Sequence, residues 1–221
     1  MAHADTFWDR EYGYDPGRTH KIKIEDGNIS AVDEEFGLGA DDRAGCAMLW
    51  LLKDLGHSLL VTNGEENGQK GSSWLMDHNK DIADEINHDH QFVIQFDRRN
   101  GRDVKCYDVG TDEFRSYVAE KTGYRQPKPG SSTDIRTLCR EIAGVNLSIG
   151  YRNEHHENQY LNIAEWEHTL KVVKEWLSEP LLERCSLPLG EDRTSPQMRL
   201  AQSNDIGNRN GNLKWTEESE R

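Results

Sequence analysis

Apolar positions in this chain fall in short blocks, and the spacing inside each block separates extended from helical segments. Residues 58–62, 92–96 and 145–149 are brief apolar runs of the length of buried strands, and 104–109 reads as a further strand. Residues 20–24 and 28–32 flank Glu25-Asp26-Gly27, which predicts a hairpin closed by an Asp-Gly turn. Helical spacing runs over 44–55, with Gly56 placed to end the helix, and over 72–77 and 134–142. Residues 111–122 form a helix with Thr111 as N-cap and Phe114, Tyr117 and Val118 on one face, and 163–177 is a longer amphipathic helix. Residues 1–17, 37–42, 64–71 and 126–130 read as irregular or loop.

Strands alternating with helices predict a three-layer α/β domain, an α-β-α sandwich with a mostly parallel or mixed sheet, over residues 1–183. From 184 to 221 the pattern stops, and the segment reads as a polar, disordered tail. Hydrophobic residues are 34% of the chain, so the core is concentrated in part of it. Lysine and arginine number 27 against 40 acidic residues, a net charge of −13 that excludes nucleic acid as a non-specific partner. Cys46, Cys106, Cys139 and Cys185 lack CxxC spacing and read as reduced thiols. No run approaches the roughly 18 apolar residues of a membrane span, and no signal peptide opens the chain. The expected location is therefore cytoplasmic, away from the membrane.

Candidate chemistry collects at the ends of the predicted strands, where an open α/β sheet places its ligands. Asp41 and Asp42 follow a glycine loop, Glu65 and Glu66 follow the 58–62 strand, Asp97 ends the 92–96 strand, and His155 follows the 145–149 strand. Adjacent carboxylates such as Glu65-Glu66 repel each other, so a cation is a natural partner. One can bind metal while the other takes a proton from an activated water; the alternative is an acidic cluster favouring the start of the next helix. His3-Ala4-Asp5 has strand spacing, which puts both side chains on one face and lets the carboxylate orient the imidazole or reach the metals itself. Glu154-His155-His156-Glu157 is dense in ligand types without the HExxH spacing of a helical zinc site. Asn87-His88-Asp89-His90 precedes a strand and reads as a solvated loop.

Taken in order, these segments resemble the co-catalytic zinc exopeptidases, the clan of peptidase T, the aminoacylase-like carboxypeptidases and the single-domain zinc aminopeptidases. The resemblance rests on His3-Ala4-Asp5-Thr6, Leu38-Gly39-Ala40-Asp41-Asp42-Arg43-Ala44-Gly45, Gly64-Glu65-Glu66-Asn67-Gly68 with Gly71-Ser72, Gln95-Phe96-Asp97, Gly130-Ser131-Ser132-Thr133-Asp134 and Gly150-Tyr151-Arg152-Asn153-Glu154-His155. It implies a hydrolase acting on short peptides through about two zinc ions, with cobalt or manganese as alternatives for such a mixed donor set. It implies His3, Asp41, Glu66, Asp97 and His155 as metal ligands, with Asp41 bridging, Glu65 as general base and Asp5 orienting His3. Asp134, Arg136 and Arg152 are candidate substrate contacts. An arginine pairing with a substrate carboxylate would instead favour an N-acyl amino acid deacylase, and an inactive metal-binding remnant is a third reading.

Two departures accompany the resemblance. Only 32 residues separate Asp97 from Gly130, too few for the inserted lid of the larger relatives. Their lid histidine then has no counterpart, and Tyr107 or Tyr151 is the candidate oxyanion donor. His3 stands two residues from Met1, so its strand is expected to lie at an edge and lose most of its pairing.

Overall fold

The computed structural model describes residues 1–13, 21–32, 37–126 and 132–188. The expected tail from 189 onward and Gly130-Ser131 of the expected substrate loop lie outside the described residues.

The main sheet is organised around β1 (Ala2–His3), a strand two residues long. It pairs in parallel with β4 (Val61–Thr62), Ala2 opposite Val61 and His3 opposite Thr62. On its other side the Phe96 N–H donates to the Met1 carbonyl at 3.0 Å, joining β1 to β5 (Val93–Arg98). β5 runs parallel to β7 (Gly144–Ser148), whose residues are all buried, and β7 pairs antiparallel with β6 (Val104–Lys105). The order β4-β1-β5-β7-β6 makes a mixed sheet. The edge position expected for His3 is thus corrected: both neighbours of β1 are strands, and His3 is buried.

A smaller antiparallel sheet contains β2 (Ile22–Glu25), β3 (Asn28–Ala31), β9 (Tyr160–Asn162) and β8 (Tyr151–Arg152), in the order β2-β3-β9-β8. The β2–β3 hairpin turns at Asp26 (φ 48°) and Gly27 (φ 74°), the left-handed pair that an Asp-Gly turn supplies.

Helices cover both faces of the main sheet. α2 (Ala40–Leu52) packs on β1 and β5, and the Trp166 indole of α7 (Ile163–Leu177) donates to the Ala44 carbonyl of α2. α5 (Asp112–Thr122) packs on α7; Thr111 caps it by accepting from the Phe114 N–H, and left-handed Gly123 ends it. α3 (Lys70–His78), α4 (Lys80–His88) and α6 (Asp134–Leu138) pack on one another, α6 also against β7. No helix among the described residues is long and apolar enough to cross a membrane.

Several boundaries differ from expectation for identifiable reasons. Asn87 and His88 belong to α4 and not to a solvated loop. The buried Asn87 carboxamide accepts from the Arg140 and Glu141 N–H groups, which diverts the chain and stops α6 at Leu138 instead of 142. The strand expected over 104–109 ends at Lys105, because Tyr107 takes a left-handed φ of 49° in a turn. β4 is shorter than expected, Val61–Thr62: the Leu60 carbonyl still accepts from the Ala2 N–H at 3.2 Å, and residues 58–60 line an apolar cavity of 210 Å³ with Met1, Phe92 and Ile94. Packing also continues past 183: the Cys185 N–H donates to Gln91, and Leu187 is buried.

Candidate metal centre

The ligand-type residues meet at the carboxyl ends of the main-sheet strands. His3 ends β1, Asp97 lies near the end of β5, and Glu65-Glu66 follow β4. Asp41 and Asp42 sit at the start of α2, where both depart from helical geometry and the peptide between them is cis. His155 lies in the turn after β8 at a left-handed φ of 63°. The close approach of α2 requires Gly45, since a Cβ there would stand 2.2 Å from the Phe96 carbonyl oxygen of β5.

Two clusters of potential ligands result: His3 with Asp42 and Asp97, and Asp41 with Glu66 and His155. Asp42 is the weaker donor in the first. Its carboxylate already accepts from the His3 N–H (3.0 Å) and the Gly45 N–H (3.1 Å), and burial raises its pKa well above the carboxylate range. Asp41 faces both clusters. Its Oδ1 lies 3.2 Å from His3 Nε2 and its Oδ2 lies 3.4 Å from His155 Nε2. Asp97 Oδ1 is 3.6 Å from His3 Nε2, and Glu66 Oε1 is 2.8 Å from His155 Nε2. The Asp41 carboxylate therefore lies between two His–carboxylate pairs, His3–Asp97 and Glu66–His155.

The electrostatics agree with cation binding. Burial alone would raise Asp41, but His155 and His3 outweigh it and hold the carboxyl below its usual range. Burial disfavours charging His3, yet Asp41, Asp5 and Asp97 raise its pKa well above the ordinary value. Asp41 and Glu66 raise His155 to about 10. The carboxylates thus draw protons onto both imidazoles, at the lone pairs for which a cation competes. His3 Nε2 and Asp41 Oδ1 provide a direct test of fit. Both are buried, and although they lie 3.2 Å apart, neither makes a well-aligned hydrogen bond among the described residues. Buried polar atoms are costly when unsatisfied, and a divalent cation between an imidazole nitrogen and a carboxylate oxygen satisfies both.

Glu65 belongs to neither cluster. Burial, reinforced by the charge of Asp97, pushes its carboxyl up to about 9. Asp5 does more than its spacing from His3 implied. His3 Nδ1 contacts the Asp5 carbonyl oxygen at 2.9 Å, while the Asp5 carboxylate accepts from the N–H groups of Gly64 (2.6 Å), Glu65 (3.2 Å) and Glu66 (3.1 Å). It fixes the backbone of the loop that carries both glutamates.

The three candidate substrate contacts are engaged elsewhere. Asp134 is fully buried and accepts from the Thr62 hydroxyl (2.5 Å) and the Ser72 hydroxyl (2.6 Å). Arg136 makes a two-pronged contact with Asp108, and Arg152 pairs with Glu165 at 2.7 Å. Of the two tyrosines considered as oxyanion donors, Tyr151 donates to Asp97 Oδ1 at 3.3 Å, and the Tyr107 hydroxyl contacts the Asn146 carboxamide at 3.5 Å. Sequence reasoning missed Thr133, which donates to Asp97 Oδ2 at 2.7 Å, and Phe7, whose ring stacks on His155. An N-cap threonine before Asp134 was a visible signal for the first; nothing in the sequence signalled the second.

Comparison with known proteins follows this geometry. No protein-family model matches the chain, and no curated protein does. Solved structures do. The aminopeptidase PepT of Bacillus cereus ATCC 10987 aligns at 15% identity over 80% of this chain and 79% of its own, with a TM-score of 0.54. A tripeptidase of Staphylococcus aureus subsp. aureus mu50 gives the same identity, coverage and TM-score. The chain shares the fold of these peptidases. The TET1 peptidase of Pyrococcus horikoshii aligns at 20% identity over 73% of this chain, with a TM-score of 0.52. This chain spans 53% of that protein's length. At such identities the likeness establishes the α/β fold, and the functional argument rests on the site.

Proposed function

We propose that this chain is a metal-dependent hydrolase that removes residues from short peptides, an exopeptidase of the aminopeptidase kind with about two divalent cations per chain. The observation that carries the reading is the Asp41 carboxylate, with one oxygen toward His3 and the other toward His155. A shared carboxylate flanked by His–carboxylate pairs is a donor arrangement that suits two divalent cations. His3 and Asp97 would hold one cation, Glu66 and His155 the other, and Asp41 both. Zinc suits this donor set best, and cobalt or manganese is tolerated by it. When bound, the cations supply Lewis acidity toward the scissile carbonyl and toward water.

The remaining chemistry belongs to the chain. Glu65, left out of both clusters, would act as the base: its carboxylate would accept a proton from the water whose oxygen adds to the scissile carbonyl, and pass it to the amine as the C–N bond breaks. Asp5 keeps Glu65 beside its neighbours by holding the loop backbone. The fold shared with an aminopeptidase and a tripeptidase supports a peptide substrate. The deacylase reading draws no support from Arg136 or Arg152, since both guanidinium groups are paired within the domain.

The test is hydrolysis of di- and tripeptides and of aminoacyl-anilides by zinc-loaded protein, with Glu65→Gln as the variant. Loss of a general base costs about 10²–10⁴ in rate, with metal content unchanged. A Glu65→Gln protein that retains parental turnover would remove Glu65 from the mechanism.

A further inference from the structure

The two histidines are oriented by different means. The His3 ring is set by its second nitrogen, Nδ1, at 2.9 Å from the Asp5 carbonyl oxygen. Metal-binding imidazoles ordinarily have such a partner, which fixes tautomer and ring plane. His155 has no counterpart: its contacts among the described residues are through Nε2, to Glu66 and Asp41, and through the ring face. That face lies on Phe7, with centroids 4.7 Å apart and planes within 14°. Arg10 in turn places its guanidinium carbon 4.5 Å from the Phe7 centroid and donates from Nη1 to the Glu66 carbonyl at 3.0 Å.

Phe7 and Arg10 belong to α1 (Phe7–Tyr12), which is firmly seated for a single short helix. Thr6 and Asp9 form a reciprocal capping box at its start. Trp8 is buried so closely against Gly37 that a Cβ there would stand 2.6 Å from the indole. The His155 side chain, by contrast, is 40% exposed on a turn.

We propose that Phe7, backed by Arg10, is the positioning residue of the Glu66–His155 half-site. The ring stack does for His155 what a hydrogen bond does for His3, and the Arg10 bond ties Glu66 to the same helix. This rests on the two-metal reading above. The sequence segment that supplies His3 to one half-site thereby also disciplines the other, through the next helix.

The experiment is zinc titration of metal-stripped full-length protein against a competing chelator, comparing the parent with Phe7→Leu and Phe7→Tyr. Leucine keeps apolar bulk and loses the stack; tyrosine keeps the ring. Phe7→Leu is expected to weaken one zinc about 10-fold or more and leave the other unchanged, and Phe7→Tyr to restore parental binding. Two zincs bound by Phe7→Leu as tightly as by the parent, both weakened alike, or no rescue by tyrosine, would each overturn the proposal. Proton NMR of the His155 ring in metal-free protein separates this from failure of the two-metal reading. The Phe7 ring current shifts those resonances, and Phe7→Leu should release the shift. If the parent binds one zinc or none, the two-metal reading falls, and unmoved His155 resonances in Phe7→Leu would overturn the stack as well.

Discussion

Gly45→Ala tests the packing that brings α2 onto the sheet. Its new Cβ would lie 2.2 Å from the Phe96 carbonyl oxygen and 2.3 Å and 2.6 Å from the two Asp42 carboxylate oxygens. Carbon contacts settle near roughly 3.5 Å, so α2 must withdraw from β5 by about 1 Å. Neither neighbour yields easily, since one is sheet backbone and the other a carboxylate held by the His3 and Gly45 N–H groups. Overpacking of this kind costs about 1–3 kcal/mol, and a backbone collision belongs at the upper end. In a domain of this size each kcal/mol lowers Tm by roughly 2–4 °C, so a fall of about 6–12 °C is expected. Asp41 lies one turn away and would move with the helix, weakening metal binding as well. Thermal melts followed by circular dichroism provide the assay, with Gly123→Ala as control. Gly123 has φ +67° and open space around it, so alanine there meets backbone strain alone, about 1–2 kcal/mol. A Gly45→Ala protein that melts within about 2 °C of the parent, or no lower than the control, would refute the reasoning.

Three further outcomes follow from the geometry. Asp134→Ala should cost about 2 kcal/mol in urea denaturation. Thr62 and Ser72 lose an acceptor but keep the Ala2 and Gln69 carbonyls, and a raised KM at parental stability would restore Asp134 to substrate binding. Burial lowers the Met1 amine from 8.0 to about 5, so between those pH values its own contribution to metal-free stability rises with pH, opposite in sign to the contributions of Glu65, His3 and His155, whose pKa values are raised. Comparing free with N-acetylated protein isolates this group, and identical pH slopes would contradict it. Removing metal with a chelator should lower Tm, because each site held at about 100 times its Kd adds about 2.7 kcal/mol; superimposable melts with zinc and with chelator would speak against both half-sites.

Much of the fold was legible because periodicity and capping are local. The helix at Ile163–Leu177 appears with the bounds its apolar spacing implied, and the Asp-Gly hairpin turns where its residue types demand. α4 was missed because most of its positions are charged or polar, and its ordering depends on Asn87 reaching across to α6. At the site, residue type and strand-end position singled out His3, Asp41, Glu66, Asp97 and His155, and the structure brings them together. Partner choice was not legible. Asp134 stands among ligand-like neighbours in sequence, yet two hydroxyls from distant segments claim it. Arg136 and Arg152 likewise looked available until tertiary register set Asp108 and Glu165 beside them. Asp5 shows a finer limit: its spacing from His3 is visible, while its three bonds to the 64–66 backbone depend on β1 lying beside β4.

The placement of β1 between β4 and β5 also bears on how the centre comes into being. On the proposed reading its ligands, His3, Asp41, Glu66, Asp97 and His155, come from five separate stretches of chain, and no two of these five share an element. A local hairpin or helix pair therefore cannot assemble even one half-site. Cation binding energy is available only to molecules that have already closed their long loops. Metal uptake of the proposed kind would act as a latch on the finished topology, slowing escape from the native state while contributing little to the search that reaches it.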